Sequence, residues 1–356
     1  MDTIRKYYTF SFGFTAVCFA LAAWYGWTST GSVTATLGIL WIVVVLSILE
    51  VSLSFDNAVV NATVLRDMDP VWQQRFLTIG ILIAVFGMRI IFPIAIVSLA
   101  AGVGPFEAVS LSLNDPERYE RIVSDAHVSI AGFGGAFLAM VGLTFFFEED
   151  KDVHWIAVLE KTINKFSNVP AVEIGLVLLT VYGVSTVLPS EDSITFLTSA
   201  ILGLVTFIAV HAIAAIIEAR EAAKKAAGEI VKSGLGGFLY LEVLDASFSF
   251  DGVIGAFALS NNMIVIALGL SVGAMFVRSM TIHLVKTGTL AQYRYLEHGA
   301  FWAIIVLGII MLLSARWHIP ETITGLLGAV LIGLSFLWSV RHNRRHPEDA
   351  ALTTDD

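Results

Sequence analysis

The second long apolar run of the chain contains the stretch Leu49-Glu50-Val51-Ser52-Leu53-Ser54-Phe55-Asp56-Asn57-Ala58-Val59-Val60-Asn61. It places two carboxylates, Glu50 and Asp56, inside a segment long enough to cross a bilayer. An acidic side chain at the centre of a membrane helix costs about 2.5 to 3.5 kcal/mol on insertion scales. Acids that persist at this depth therefore indicate a function.

The acidic motif occurs twice. The second copy, 195 residues further on, reads Leu244-Asp245-Ala246-Ser247-Phe248-Ser249-Phe250-Asp251-Gly252. Four polar positions match between the copies, and they pair Glu50 with Asp245, Ser52 with Ser247, Ser54 with Ser249, and Asp56 with Asp251. A polar motif repeated at membrane depth predicts a site assembled from two halves, as in transporters built from internal repeats.

The composition indicates a membrane protein. Hydrophobic residues make up 56% of the chain, charged residues only 14%, and the mean hydropathy is +0.80, which excludes a soluble domain of this size. The net charge is -9, and Lys and Arg do not cluster with aromatic residues, so we expect no nucleic-acid partner. Cys18 is the single cysteine, so a metal would be held by oxygen or imidazole rather than by a thiolate cluster.

We predict an all-α polytopic membrane protein with about ten transmembrane helices in two inverted repeats of five. Each apolar run is near the ~20 residues that a crossing needs. The motif copies fall in the second and seventh runs. A repeat of five spans inserts its second copy upside down, which brings both polar centres near the midplane of the bilayer. The predicted spans are 8–27, 35–64, 76–100, 127–147, 172–189, 195–217, 236–259, 263–285, 298–315 and 321–340.

The predicted domains are a first membrane repeat at 1–190, a second at 191–341 and a disordered cytoplasmic tail at 342–356. Residues 102–125 are expected to form a polar extracytoplasmic loop, and residues 148–168 and 218–232 charged helices at the cytoplasmic surface. Outside the spans, all Lys and Arg except Arg118, Arg121 and Arg316 fall on one side. Both termini are therefore predicted to face the cytoplasm.

The polar residues of the two motif helices predict a metal site. Carboxylate, amide and hydroxyl oxygens suit Mg²⁺, Ca²⁺ or Mn²⁺. Five acids at membrane depth face only two arginines, so a divalent cation or protons must supply the missing positive charge. The predicted metal ligands are Glu50, Asp56, Asn57, Glu242, Asp245 and Asp251. The predicted supporting residues are Ser52, Ser54, Ser247, Ser249, Arg89 and Arg278.

The spacing of Glu50 and Asp56 imposes a geometric condition. On an ideal helix their side chains lie on stripes roughly 120° apart. A ligand shared by both requires an unwound turn between Ser52 and Phe55, or else each acid faces a different neighbour. If the helix is straight, Asp56 and Asp251 are expected to bind the ligand.

In that straight helix, Glu50 and Asp245 are expected to pair with Arg89 and Arg278. The two arginines are interpreted as counter-charges rather than as substrate ligands. Three further polar residues at span ends, His127, Glu297 and His298, are predicted to be solvated or interfacial. The glycines Gly132, Gly134 and Gly135 are predicted to permit close helix packing.

At these residues the chain resembles the TerC-like integral membrane proteins, a family associated with tellurium resistance, and most closely its branch known as a domain of uncharacterised function. The resemblance implies a multi-span fold in the inner membrane and, as for members with an assigned role, manganese export. It implies that Glu50, Asp56, Asp245 and Asp251 are the acidic positions of the site. This chain departs from a symmetric pattern at two positions. Gly252 stands where the first half has Asn57, and Glu242 stands where the first half has Ser47. The matching residues are Leu49 to Val60, Ser249 to Gly252, Phe133 to Leu138 and Tyr295 to Ala300.

The leading hypothesis is a secondary transporter that exports a divalent cation, with manganese favoured, through a midplane carboxylate site that can also exchange protons. No nucleotide-binding G-x-x-x-x-G-K-[ST] loop is present. No enzyme activity and no tightly bound cofactor are expected, and the expected partners are the lipid bilayer and the metal ion. Two alternatives stay open: a membrane scaffold of a metal or tellurium stress-response complex, as a homo-oligomer or with partner proteins, and an intramembrane aspartyl hydrolase that uses Asp56 and Asp251.

Overall fold

The computed structural model describes residues 2–147, 153–166, 169, 171–227, 233–257, 259–260, 262–317 and 319–346, and these residues form helices and connecting turns with no strand. The helices are α1 (Asp2–Thr30), α2 (Val33–Leu53), α3 (Phe55–Arg66), α4 (Pro70–Arg75), the π-helical segments π1 (Phe76–Gly80) and π2 (Ile83–Ile91), α5 (Phe92–Ala101), α6 (Pro105–Asn114), α7 (Pro116–Asp125), α8 (His127–Phe147), α9 (Ala157–Asn164), α10 (Val172–Ser185), α11 (Ser190–Ala226), α12 (Leu235–Phe257), α13 (Met263–Lys286), α14 (Thr289–Gln292), α15 (Leu296–Ser314) and α16 (Glu321–Arg345).

The protein is an all-α polytopic membrane protein, as its sequence predicts. Eight helical segments of the described residues are long and apolar enough to cross a bilayer. The predicted fifth span corresponds to the shorter apolar helix Val172–Ser185. The predicted seventh span corresponds to α12, which carries three acids. The inverted relation of the two repeats, the membrane that holds the protein and the side that each terminus faces stay predictions.

The prediction of a polar loop at residues 102–125 is wrong, because the segment folds into helices α6 and α7. Each helix has a proline in its first turn, and the Asp115 carboxylate accepts the backbone N–H of Arg118 at 3.2 Å to cap α7. Tyr119 and Val123 of α7 are buried in the same apolar cluster as Phe257. Burial raises the pKa of the Tyr119 phenol.

Three other predicted segments differ from the structure or are only partly described. Helix α9 accounts for Ala157–Asn164 of the predicted surface helix at 148–168, of which 148–152 and 167–168 lie outside the described residues. The charged segment at 218–232 continues α11 as far as Ala226, and 228–232 are not described. Helix α16 continues to Arg345, so the first residues of the predicted disordered tail are helical, while 347–356 lie outside the description.

The chain divides into two compact units, and each draws on both halves of the sequence. Unit 1 comprises Met1–Ser54, Gln74–His127 and Asp245–His283, and unit 2 comprises Phe55–Gln73, Val128–Leu244 and Leu284–Asp356. The predicted boundary between residues 190 and 191 concerns the sequence repeat, and it stays a prediction.

In unit 1, glycines of α13 allow α2 to approach closely. A Cβ added at Gly269 would lie 2.5 Å from Leu46 Cβ, and one added at Gly273 would lie 2.6 Å from Glu50 Cγ. The Ser47 hydroxyl, on the same stretch of α2, donates to the Gly269 carbonyl at 3.0 Å. Two glycines one helical turn apart therefore seat two side chains of α2 with the same spacing, as in small-residue packing of membrane helices.

In unit 2, small residues of α8 serve the same purpose. A Cβ added at Gly132 would lie 2.7 Å from the Phe196 carbonyl of α11, and one added at Gly135 would lie 2.7 Å from Leu312 Cγ of α15. The prediction that Gly132 and Gly135 permit close packing is confirmed.

Replacing Gly273 by alanine tests the close packing of unit 1. We expect Gly273→Ala to lower the free energy of unfolding by about 1 to 3 kcal/mol, because the added methyl group overlaps Glu50 and cannot be accommodated without backbone movement. Thermal unfolding of the purified protein in detergent measures the change. Gly38→Ala on α2 is the matched control, since nothing lies within 4 Å of its added Cβ, and it should not destabilise. Equal melting temperatures for Gly273→Ala and the control would contradict the packing argument.

Candidate functional site

The first motif helix is interrupted between its two acids. Helix α2 ends at Leu53, and Ser54 leaves the helical conformation with φ -105° and ψ 17°. The Ser54 N–H donates to the Glu50 carbonyl at 3.0 Å, and its hydroxyl donates to Glu50 Oε1 at 3.1 Å. The interruption that the sequence made a condition for a ligand shared by Glu50 and Asp56 is therefore present at Ser54. The second motif helix, α12, continues without a break from Leu235 to Phe257.

Four buried charges form a network within unit 1. Arg89 of π2 donates to Glu50 Oε1, and its other terminal nitrogen lies 3.7 Å from Asp245 Oδ2. Arg278 of α13 donates to the same Asp245 oxygen at 3.4 Å. All four side chains are at most 5% exposed.

Backbone and aromatic groups orient both guanidinium groups. Arg89 donates to the Ala84 carbonyl, five residues earlier on π2, at 3.0 Å. Arg278 donates to the Phe76 carbonyl at 3.4 Å, and its guanidinium carbon lies 3.9 Å from the centre of the Phe76 ring. The arginine side chains are thus fixed by contacts other than the carboxylates. Glu50 and Asp245 therefore contact guanidinium groups that other residues also hold in place.

The network is electrically neutral, since two carboxylates face two guanidinium groups that stay charged at any physiological pH. Glu50 and Asp245 were predicted to be metal ligands, but the structure places them with Arg89 and Arg278. The interpretation of the two arginines as counter-charges is confirmed. The sequence linked this pairing to a straight helix, yet the pairing and the break at Ser54 occur together.

The space around Glu50 depends on a further glycine. A Cβ added at Gly252, the position that corresponds to Asn57 in the first motif, would lie 2.9 Å from Glu50 Oε2. The Glu50 carboxylate therefore occupies the volume that a side chain would fill there. The departure from motif symmetry at Gly252 has a structural explanation, because a side chain there would displace the Glu50 carboxylate from its observed position.

Asp56 has a different environment, in unit 2. It lies in the first turn of α3 and is 5% exposed, and its Oδ1 accepts the backbone N–H of Asn57 at 2.8 Å. A Cβ added at Gly328 of α16 would lie 3.7 Å from Asp56 Oδ2, so the neighbouring helix leaves a small space beside the carboxylate. In the described part of the chain, no Lys, Arg or His side chain forms an ion pair with Asp56.

Two amides on α3 extend the oxygen-rich surface from Asp56. Asn57 and Asn61 are 2% and 1% exposed and stand one helical turn apart. Asn61 Oδ1 is buried without a hydrogen-bond partner among the described residues. A buried carbonyl oxygen in this state is costly unless a ligand or water molecule satisfies it.

The other predicted site residues fall in different places. Ser52 is exposed on α2 and donates to the Ile48 carbonyl at 2.8 Å, so it does not support the site as predicted. Ser247 and Ser249 are buried in unit 1, and Glu242 is buried in unit 2. The side chain of Asp251 lies outside the described part of the structure. No group of three His, Cys, Asp or Glu side chains able to hold a metal comes together among the residues that were described.

Comparison with known proteins identifies the family. The model of the family described as "Protein of unknown function (DUF475)" matches residues 55–346. The chain belongs to this family. No curated protein and no solved structure matches the chain. The matched region of this DUF475 protein begins directly after the break at Ser54, so it contains Asp56 and all of the second motif but not Glu50.

Sequence reasoning missed a buried acid, Glu160 of α9, which is 2% exposed. Its carboxylate accepts the backbone N–H groups of Trp155 and Ile156 at 2.8 and 3.1 Å and the Trp302 indole N–H at 2.9 Å. His298 Nε2 lies 3.8 Å from Glu160 Oε2, and His298 is 4% exposed, so of the predicted solvated or interfacial roles the solvated one is excluded. The available signal was an acid four residues after the Trp155-Ile156 pair, where it can bond back to the start of its own helix.

The charge network predicts that removing a buried acid lowers the free energy of unfolding far more than removing an exposed one. Glu50→Gln should lower the free energy of unfolding by about 3 to 5 kcal/mol, because it leaves the two buried guanidinium groups of Arg89 and Arg278 with a single carboxylate, Asp245. Asp67→Asn is the control, since its ion pair with Arg66 is exposed and should contribute at most about 1 kcal/mol. Thermal unfolding in detergent measures both effects.

Adding Arg89→Gln to Glu50→Gln should recover part of the lost stability, because Asp245 and Arg278 then balance one another and no unpaired charge is left. Losses that add independently in the double variant would show that the two side chains do not stabilise one another.

Proposed function

We propose that this protein is a secondary transporter that exports a divalent cation, with manganese favoured. The observation that supports the proposal most strongly is the buried Asp56, which has no cationic partner in the described part of the chain. An isolated carboxylate at this depth must be neutralised by a bound cation or by a proton. A site that exchanges one for the other provides what a proton-coupled transporter needs.

The donor atoms support the choice of cargo. Asp56, Asn57 and Asn61 offer only carboxylate and amide oxygens, which favour hard cations such as Mn²⁺, Mg²⁺ and Ca²⁺ over Cu(I). The resemblance to the TerC-like proteins favours manganese and the outward direction. The cation is the transported substrate, and the proposal assigns no chemical reaction and no resident cofactor to the protein. The inner membrane with both termini in the cytoplasm is the proposed location.

The break in the motif helix supports a transport role as well. Helix α3 begins at Phe55, so Asp56 lies in its first turn, where its Oδ1 accepts the backbone N–H of Asn57 at 2.8 Å. Transporters frequently build substrate sites from such discontinuous helices, because the interrupted backbone supplies polar groups at membrane depth. From the second motif, the proposal retains Glu242, which is buried in the same unit as Asp56, as a further ligand.

A scaffold of a stress-response complex is the second candidate. It is favoured by the apolar face of α9, where Val158 is 82% and Leu159 50% exposed. Such a face suits a membrane surface or a protein partner. This function requires no cation at Asp56, so the experiment below separates the two candidates.

Manganese efflux tests the transporter. Inside-out vesicles containing the wild-type protein should accumulate Mn²⁺, and Asp56→Asn should reduce the rate at least about tenfold, because the amide keeps the shape but removes the charge that binds the cation. Glu191→Gln, an exposed acid in the first turn of α11, is the control and should transport normally. Equal transport by Asp56→Asn and the wild type would overturn the proposal.

Metal-dependent stability provides a second readout. Mn²⁺ should raise the melting temperature of the wild type more than Mg²⁺, Ca²⁺ or Zn²⁺ does, and Asp56→Asn should lose this shift, because a ligand stabilises only the state that binds it. Without metal, Asp56→Asn should be at least as stable as the wild type, since the amide is neutral without binding a cation or a proton. A metal shift that persists in Asp56→Asn would place the cation elsewhere.

A further inference from the structure

Unit 2 contains a cavity of about 530 Å³. Helices α3, α8, α10, α11, α12 and α15 contribute to its wall. Liquid water occupies ~30 Å³ per molecule, so the cavity can hold a cation together with its hydration shell. A volume of this size within one unit of the bundle is large enough to bind a substrate.

The cavity lies at the helix ends that the sequence assigns to the cytoplasm. Val64 is near the last residue of α3, and Phe147 is the last residue of α8. Glu173 is in the first turn of α10, and Gly237 is near the start of α12. The Lys and Arg bias of the connecting segments assigns all four of these ends to the same side.

The charge of the wall favours cations. Glu173 and Glu218 line the cavity together with His211, whose ring stacks on Phe207 at 5.7 Å. Among the described lining residues there is no Lys or Arg. A cleft with charges of one sign and low-dielectric walls raises the local concentration of the opposite charge. The remaining lining is largely apolar, so these acids dominate the local field.

Helix α3 connects the cavity with Asp56. Val64, which lines the cavity, follows Asn61 by three residues and Asn57 by seven, so the three share one face of the helix. Asn61 lies between the other two and keeps its buried Oδ1 without a hydrogen-bond partner in the described part of the chain. This face therefore offers oxygen ligands in sequence from the cavity wall toward Asp56.

We infer that this cavity is the cytoplasmic loading site, where Glu173 and Glu218 capture a hydrated divalent cation before it passes along α3 to Asp56. The inference rests on the proposed function for the identity of the cargo. The captured ion keeps most of its water, because the two acids line a roomy cavity rather than a close coordination shell. The site differs from Asp56 in that it concentrates the ion and does not strip its hydration shell.

Mn²⁺ uptake into inside-out vesicles tests the loading site. The double variant Glu173→Gln/Glu218→Gln should raise the KM for Mn²⁺ about tenfold with an unchanged maximal rate, and should reduce the dependence of KM on ionic strength. The matched control is Glu191→Gln/Asp192→Asn at the opposite end of α11, which should keep the wild-type KM. An unchanged KM in the cavity variant, or loss of transport at every Mn²⁺ concentration, would overturn the inference.

The Asp56→Asn variant, measured in parallel, separates the two proposals. If Asp56→Asn is inactive and the cavity variant has the wild-type KM, the transporter stands and the loading site fails. If Asp56→Asn transports like the wild type, the proposed function itself fails.

Cysteine labelling tests the cavity without transport. In a Cys18→Ala background, which removes the single native cysteine, Ala215→Cys places a thiol on the cavity wall. A cationic methanethiosulfonate reagent added to inside-out vesicles should react about tenfold faster than an anionic one, and Glu173→Gln/Glu218→Gln should abolish this preference. Equal rates for both reagents in the parent, or reaction only from the opposite side of the membrane, would contradict an acidic cytoplasmic cavity. A thiol that no reagent reaches would indicate an occupying lipid and would also overturn the inference.

Discussion

The cost of burying charge in an apolar medium determines how the charged residues of unit 1 are paired. Arg89 and Arg278 keep their charge at any physiological pH, so each needs an anionic partner at the same depth. Glu50 and Asp245 meet this need, and the carboxylate of Glu50 fits only because Gly252 and Gly273 have no side chain. Glu50 of α2 is thus held both by its ion pair with Arg89 of π2 and by close packing against Gly273 of α13. A change at either contact would move Glu50 and so disturb the other.

Two acids six residues apart in the motif therefore have different environments. Glu50 faces a guanidinium group, whereas Asp56 has only a backbone N–H as its described hydrogen-bond donor. The break at Ser54 separates the helix that carries the first from the helix that carries the second. A repeated motif can thus contain a structural acid and a functional candidate side by side. The second copy repeats the structural half, since Asp245 pairs with Arg278 as Glu50 pairs with Arg89.

The sequence predicted the features that depend on local spacing or on unavoidable charge. Acids within apolar runs, the counter-charge role of Arg89 and the packing role of Gly135 follow from residue type and helical period, whereas the break at Ser54 was only a condition that the sequence set for a shared ligand. It did not predict helices α6 and α7, because the polar residues of 102–125 concealed the apolar face that buries Tyr119. It also missed Glu160, whose partners Trp302 and His298 lie far away in the sequence. Contacts of this kind depend on tertiary packing, which no local pattern encodes.

The charge of a divalent cation sets a requirement that Asp56 alone does not meet. One carboxylate leaves a bound divalent ion with a net positive charge, which is as costly at membrane depth as the bare carboxylate was. Glu50 and Asp245 pair with the arginines, so in the proposed cycle the second negative charge is assigned to Glu242, the acid of the second motif that is buried in the same unit as Asp56. Two carboxylates that hold two protons when no metal is bound release both as the cation enters. The exchange of two protons for one divalent ion keeps the proposed site neutral throughout, as the arginine network keeps unit 1 neutral.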